Sequence, residues 1–336
     1  MSTRLTVVIP NWNGERFLLS CLGSLRKQSF EDFETVLVDN GSTDGSIPFV
    51  RRNFPEVRVL PLGENRGFSA AVNAGIRTSR TEYVALLNND TEVDPDWLKA
   101  LIRAADAHPE AGFFASKLVD FDDRRVLDGA GDVLRRSGLP YRLGHGEPDR
   151  RQYDETAFVF GACAGAALYR RSMLDDIGLF DEDFFANCED GDLSFRAQLA
   201  GYRCLYVPES VVYHMGSATF GKRSPTAVRL GTRNSVCLLV KNLPTPLVPG
   251  FLPFVVAGQL SRVIVTASTS TLGAHIEGLA GALRLLPLML RKRREIQKRR
   301  QVPVEYIKGL LKESSRAAGV SLRRRLMYYI GSRLGL

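Results

Sequence analysis

Acid, amide and hydroxyl side chains gather at three places early in the chain, each directly after a short apolar run. Pro10-Asn11-Trp12-Asn13-Gly14 follows Leu5–Ile9, Asp39-Asn40-Gly41-Ser42-Thr43-Asp44-Gly45-Ser46 follows Thr35–Val38, and Asn88-Asn89-Asp90 follows Tyr83–Leu87. A later acid cluster, Glu189-Asp190-Gly191-Asp192, precedes a histidine, His214, in Val212-Tyr213-His214-Met215-Gly216. Carboxylates of this kind can take the proton of an attacking hydroxyl or hold a hard cation through oxygen. Each group also has a plainer reading, because Asp, Asn and Gly are ordinary turn formers. Asp39 could cap a helix starting near Gly45, and Trp12 could cover a sheet edge. Asp190 or Asp192 could cap the helix that ends before Gly201, and His214 could be a hydrogen-bonded structural residue.

The elements that must position these residues are legible from periodicity. Leu5–Ile9, Thr35–Val38, Val57–Leu60 and Tyr83–Leu87 are short and rich in Val, Leu or Ile, which predicts strands. Helical patterns lie between them near 15–27, 45–53, 67–78 and 95–107, the last opening on Asp94-Pro95 as N-cap and first-turn proline. The alternation predicts an α/β domain with a largely parallel sheet covered on both faces. Ligands of such sheets sit outside the carboxyl ends of the strands, where the three polar loops fall. Residues 120–160 are rich in Asp, Arg and Gly, with Tyr141, His145 and Tyr153 among them, and read as an irregular insertion that forms an acceptor-binding lid. The small residues of Gly161-Ala162-Cys163-Ala164-Gly165-Ala166 predict a close backbone approach.

Taken in order, V-V-I-P-N-W-N-G (7–14), V-D-N-G-S-T-D-G-S (38–46), N-R-G-F-S-A-A-V-N-A-G (65–75), L-L-N-N-D (86–90), G-A-C-A-G-A-A-L-Y-R-R (161–171) and C-E-D-G-D-L-S-F-R (188–196) resemble the family 2 glycosyltransferases. The likeness covers about residues 4–220 and is closest to the rhamnosyltransferase-like branch. It implies the GT-A fold and a nucleotide-sugar donor. Pro10 and Trp12 would then flank the nucleobase and Asp39 would accept its ring N–H, which uracil and thymine both offer. Asn65 and Gly67, just ahead of the helix from Phe68 to Thr78, would face the diphosphate, and Asn89 completes the expected donor-binding set. Helix packing is the competing explanation for Gly67.

The same resemblance makes Asp90 the ligand of a Mg²⁺ or Mn²⁺ ion that bridges the diphosphate. Asn88 stands where the usual pattern has a first acid, so the site has one carboxylate fewer. His214 is the expected second ligand, and a nitrogen donor tilts the preference toward Mn²⁺. Asp190 would be the base, with Glu189 beside it. An ordinary Asp is too weak a base, so burial or its neighbours Glu189 and Asp192 must raise it. With a single carboxylate indicated at the reaction centre, the implied mechanism is one in-line displacement with inversion. The implied reaction moves a sugar, rhamnose among the candidates, from a UDP- or dTDP-sugar to a glycan acceptor, lipid-linked, in cell-surface polysaccharide synthesis.

The chain has 336 residues and a net charge of +8, but the charge is unevenly placed. Residues 284–336 hold 15 Lys and Arg against 3 Asp and Glu, whereas residues 1–283 are net negative. Ahead of the basic run Arg291-Lys292-Arg293-Arg294 lie two uncharged stretches, Asn242–Ser261 and Val263–Ile276, separated only by Arg262. Apolar and basic segments side by side predict an anionic membrane surface as partner rather than nucleic acid. Prolines 244, 246, 249 and 253 argue against a straight spanning helix and for an interfacial or re-entrant one. Leu279, Leu283, Leu286 and Leu290 recur as one face of a helix lying in the headgroup layer, the competing reading being a helical bundle packed on the first domain.

The expected division is a catalytic domain over 1–235 and a C-terminal helical membrane-association region over 236–336. Five cysteines without a C-x-x-C pair, and an N-terminal apolar run of only six residues, fit a cytoplasmic protein peripheral at the inner face of the cell membrane. A sugar-nucleotide pyrophosphorylase is the rival enzyme, but it wants a glycine-rich loop after the first strand, and Asn11–Arg16 has a single glycine. An inactive membrane-bound scaffold is the rival from another class, favoured by Asn88.

Overall fold

The computed structural model describes residues 3–216 and 224–334, with side chains through Tyr329. Strands β1 (Leu5–Asn11), β2 (Phe33–Asp39) and β3 (Arg58–Pro61) alternate with helices α1 (Glu15–Leu25), α2 (Ser46–Asn53) and α3 (Phe68–Thr78), and β4 (Tyr83–Leu87) follows. All four strands run parallel in the order β3-β2-β1-β4. Every apolar residue of β1 except Pro10 is buried, yet the two-residue period still divides them. Val8 packs with Ala71, Val72 and Ile76 of α3 on one face, while Val7 and Ile9 pack with Leu18 and Leu22 of α1 on the other. Chain order reverses between β1 and β4, so the crevice expected for a ligand opens at the ends of these two strands.

The second half of the sheet is mixed. After β5 (Thr91–Val93) and α4 (Trp97–Ala107) come β6 (Ala111–Asp120), then β7 (Leu127–Ala130), β8 (Asp132–Leu134), β9 (Pro140–Arg142) and β10 (Ala157–Val159). They are followed by β11 (Ala166–Arg170), α5 (Arg171–Ile177), α6 (Glu189–Leu199) and β12 (Arg203–His214). β11 lies antiparallel between β4 and β6, and β12 is parallel to β6. The segment expected as an irregular lid instead carries β7, which joins the main sheet on β6, and the β8–β9 hairpin. Helix α4 starts at Trp97 rather than at Pro95. Asp94 closes the turn ahead of it, its Oδ1 accepting from Asp96 N at 3.0 Å and its carbonyl from Trp97 N at 3.0 Å.

Four helices complete the chain: α7 (Pro225–Asn242), α8 (Val248–Ser268), α9 (Leu272–Lys298) and α10 (Val304–Leu334). Ser224 caps α7, accepting from Ala227 N at 3.2 Å, with Pro225 in the first turn. The expected boundary at 235/236 falls inside this helix. Ion pairs tie the tail to the body: Lys241 reaches Asp181 at 2.6 Å and Asp192 at 2.8 Å, and Lys292 reaches Asp181 at 2.6 Å. Lys292 and Arg293 of the basic run are therefore turned inward, Arg293 donating to Val240 O at 2.7 Å. Contrary to the proline argument, α8 is one continuous helix. Pro244 and Pro246 lie in the turn before it and Pro249 in its first turn, where an N–H has no helical partner anyway, so Pro253 alone interrupts the ladder. Thr245–Ser268 is long and apolar enough to cross a membrane by length and composition alone. Within α8 only Phe251 and Thr266 are buried.

Candidate active site

One cleft of about 360 Å³ opens at the carboxyl ends of β1 and β4 and gathers residues that are far apart in the chain. Pro10, Trp12, Asn65, Gly67, Asn89, Asp90, His214, Glu189 and Asp190 all line it. Asp39 does not. It is 2 % exposed and sits one layer behind, accepting from Asn11 Nδ2 at 3.4 Å and Ser42 N at 3.1 Å. It caps no helix, because the N-terminus of α2 is held by Asp44, whose Oδ1 accepts from Ser46 N at 3.0 Å.

The donor-side wall is stiffened by amides. Asn89 Nδ2 donates to Asn11 Oδ1 at 2.7 Å, and Asn40 Nδ2 donates to Asn65 Oδ1 at 3.1 Å. Asn65 Oδ1 also accepts from Gly67 N at 3.0 Å, and Ser69 N donates to Phe185 O at 3.2 Å. Two of the amides expected to face a diphosphate at the start of α3 are thus already engaged. Gly67 has φ +85°, and a Cβ there would come within 2.6 Å of the Phe185 ring, so a side chain is excluded on both counts.

Pairing of β5 with β12 sets Thr91 opposite His214 and brings the imidazole beside Asp90, with Nε2 to Oδ1 at 3.5 Å. His214 Nδ1 lies 2.7 Å from Asp128 Oδ2. Asp128 is the hub of this side, for Arg142 donates to its Oδ2 at 2.7 Å and His145 Nδ1 lies 2.9 Å from its Oδ1. Burial alone would raise the Asp128 carboxyl, but Arg142, His145 and His214 outweigh it and hold it far below the usual range. Burial would lower His214, whereas its bonds to Asp128 and Asp90 push it up to about 9. His214 has a second imidazole nearby in space, His145, which its sequence surroundings do not suggest.

On the opposite wall, α6 starts from a strained turn. Phe185, Asn187 and Cys188 all have positive φ without being glycine, at 64°, 70° and 68°. Asn234 of α7 supports that turn, its Nδ2 donating to Phe184 O, Ala186 O and Asn187 O at 2.7–2.9 Å. Asp190 Oδ1 accepts from Gly191 N at 2.7 Å, and burial raises its carboxyl. Burial and Asp190 push Glu189 up to about 8, and its Oε2 is buried without a partner. Asp192 does not support Asp190 as expected. It is fully buried against Arg196 at 2.9 Å, Lys241 and Asn242, and holds the helix in place.

Sequence reasoning missed what the insertion brings in. Asp132, at the start of β8, and Cys163 place ligand atoms within 4.8 Å of each other and of Asp190. Arg142 answers the charge there, donating to Cys163 Sγ at 2.8 Å and facing Asp132 at 3.6 Å. Burial pushes the Asp132 carboxyl up to about 7 against the opposing pull of Arg142. The run Asp128-Gly129-Ala130-Gly131-Asp132, with Arg142 ten residues on, was the available signal. Tyr141 and Tyr153 turn away from the cleft, toward Ser321 of α10 and Glu147. The small-residue run does make the expected close approach, since a Cβ at Gly161 would lie 2.4 Å from Ser194 Oγ on α6.

Residues 6–178 match the family described as Glycosyl transferase family 2. The chain belongs to this family. The N-acetylglucosaminyl-diphospho-decaprenol L-rhamnosyltransferase of Mycobacterium tuberculosis (strain CDC 1551 / Oshkosh) is 30% identical over 250 residues, covering 66% of this chain and 79% of its own. Among solved structures, S. aureus TarS residues 1–349 in complex with UDP-GlcNAc superposes with a TM-score of 0.57 at 19% identity, over 96% of this chain and 92% of that one. The mannosyltransferase PcManGT from Pyrobaculum calidifontis, in complex with GDP-Man and Mn²⁺, gives 0.53 at 19% identity, over 94% and 86%. As a family 2 glycosyltransferase of rhamnosyltransferase-like type, the chain has the GT-A fold over its sheet domain, followed by the helical C-terminal region.

Proposed function

We propose that this family 2 enzyme transfers a sugar, rhamnose foremost, from a dTDP- or UDP-sugar to a lipid-linked glycan acceptor with inversion, at the cytoplasmic face of the membrane in cell-surface polysaccharide synthesis. The observation that carries it is the single cleft with Asp90 and His214 on one wall and Asp190 on the other. Asp190 takes the proton of the acceptor hydroxyl, whose oxygen attacks the anomeric carbon as the bond to the diphosphate breaks and its electron pair leaves with the phosphate. Burial lifts the basicity of Asp190 for this task. Asp132 lies on the Asp190 side, so it offers no nucleophile on the opposite face of the sugar, which supports a single displacement. Pro10, Trp12 and Asn89 bound the donor pocket, Asn65 and Gly67 shape the backbone beside it, and Asp39, behind Asn11, is the acceptor assigned to the base N–H.

The Asp90 and His214 pair fits a divalent cation. An oxygen and a nitrogen 3.5 Å apart suit two ligands of one ion, and Asp128 orients the imidazole from behind. Mn²⁺ or Mg²⁺ held there would supply positive charge for the departing diphosphate oxygens. On the lipid side, α8 exposes Leu252, Val256, Leu260, Ile264 and Val265, while Leu283 and Leu290 of α9 point outward. Exposed Arg284, Arg291 and Arg294 lie beside them. This surface supports peripheral binding to an anionic bilayer, with 1–235 as the catalytic unit, 236–336 as the membrane-associating unit, and α7 shared.

The test is transfer by the full-length protein from a panel of dTDP- and UDP-sugars to a prenyl-diphospho-N-acetylglucosamine acceptor with Mn²⁺ or Mg²⁺. Asp190→Asn should lower kcat by about 10²–10⁴ while donor binding persists. Undiminished transfer by Asp190→Asn would remove the assignment.

A further inference from the structure

Arg262 is the one formal charge between Asn242 and Ile276, and it sits on the apolar helix α8. The side chain is half-buried and turned toward the body, where its Nη1 makes one long bond, 3.4 Å, to Gly231 O on α7. Among the described residues no carboxylate pairs with it. The titratable groups that feel it are the Cys188 thiol and the His275 imidazole, neither of which supplies a counter-charge at neutral pH. A guanidinium has five N–H donors, and leaving one in apolar surroundings without an acid works against stability. An ionisable group in such a segment signals a ligand.

Its position says which ligand. Cys188 lines the catalytic cleft, and its thiol feels the charges of Asp190, Glu189 and Arg262. Ala227 lines the same cleft, and Gly231 is one helical turn further along the same face of α7. A Cβ at Gly231 would stand 3.6 Å from Arg262 Nη2, so the guanidinium lies against this turn of α7. On α8, Leu260, Ile264 and Val265 on either side of Arg262 are exposed apolar residues. The order from the cleft outward is therefore base, cation, apolar surface. A sugar joined through a diphosphate to a prenyl chain has the matching order of hydroxyl, anion and hydrocarbon, and guanidinium suits a phosphate through two parallel N–H bonds.

We propose that Arg262 anchors the diphosphate of a prenyl-diphospho-sugar acceptor, holding the sugar over Asp190 and the lipid along α8. This rests on the transferase reading above and names the chemistry of its acceptor. The experiment compares binding of farnesyl diphosphate and farnesol to the full-length protein by calorimetry, with chelator present so that the Asp90–His214 site holds no cation. Wild type should bind the diphosphate at least about tenfold more tightly than the alcohol. Arg262→Gln should lose about tenfold for the diphosphate and nothing for farnesol, while Arg262→Lys retains part of the preference. In Arg262→Met the melting temperature should hold or rise, because an unpaired charge is removed, whereas a structural arginine would leave it lower. Unchanged diphosphate affinity in Arg262→Gln, or an equal loss for farnesol, overturns the anchor. Wild-type protein that binds the diphosphate through Arg262 yet transfers no sugar leaves the anchor standing and removes the functional reading. Transfer by Arg262→Gln with wild-type KM does the reverse.

Discussion

At the residue scale the site depends on carboxylates held in opposite states. Asp128 is kept ionised by Arg142 and two histidines, whereas burial favours the protonated forms of Glu189, Asp190 and Asp132. Linkage then gives a sign. Glu189 has a folded value near 8 against an ordinary 4.5, so the native state binds the extra proton between them. Its contribution to stability is complete below about 4.5 and is lost as the pH rises through about 8. Urea denaturation at successive pH values should show stability falling over that range, and Glu189→Gln should flatten the slope; a slope unaltered in that variant would show that other groups cause it. Activity should move the other way, rising with pH as Asp190 ionises. Asp128→Asn leaves His214 poorly oriented and should weaken Mn²⁺ binding by about 10–100-fold, read by calorimetry on the protein without donor.

At the element scale, the start of α6 is a strained turn kept in place from outside. Three carbonyl contacts from Asn234 hold it, and Lys241 and Arg196 neutralise Asp192 one turn further on. Asn234→Ala removes the side-chain donor of Ala186 O and Asn187 O, while Phe184 O keeps Arg233. A loss of about 1–3 kcal/mol in stability should follow, with kcat falling more than KM rises because Asp190 is displaced. Equilibrium unfolding and steady-state kinetics on the same preparation check both parts, and wild-type kcat in a destabilised variant would show that the turn does not position the base. The continuity of α8 is the matching lesson for a helix: proline is disruptive by position, and three of the four here fall where no helical N–H is required.

For the whole molecule, the body and the helical tail share charges across their contact, while the tail turns apolar and basic residues outward. Sedimentation with vesicles containing anionic lipid should show binding that weakens with salt but persists in part through apolar contact. The pair Leu260→Asp and Ile264→Asp should abolish the persistent part. Equal sedimentation of this variant and wild type would move the membrane contact to another face.

How much of this could be read from the chain alone depends on the range of the forces involved. Strand period, helix patterning and turn chemistry are local, so β1, β4, the loops after them and the order of motifs were legible, as were Asp90, Asp190 and His214 as site candidates. Long-range packing was not. Asp128, Asp132 and Arg142 lie in a stretch of weak periodicity, and the pairing of β7 with β6, of β8 with β9, and the bridge from Asp132 to Gly161 bring them against His214 and Asp190. Asp39 looked equally open in sequence, yet the register of β1 with β2 sets Asn11 beside it and encloses it. The charge count exposed Arg262 as an isolated cation, but only its contact with Gly231 of α7 showed which way it faces. Local sequence determined the elements and their polar ends, and tertiary structure decided which of those ends meet, because a contact between distant residues is selected by burial of the whole surface rather than by either residue's neighbours.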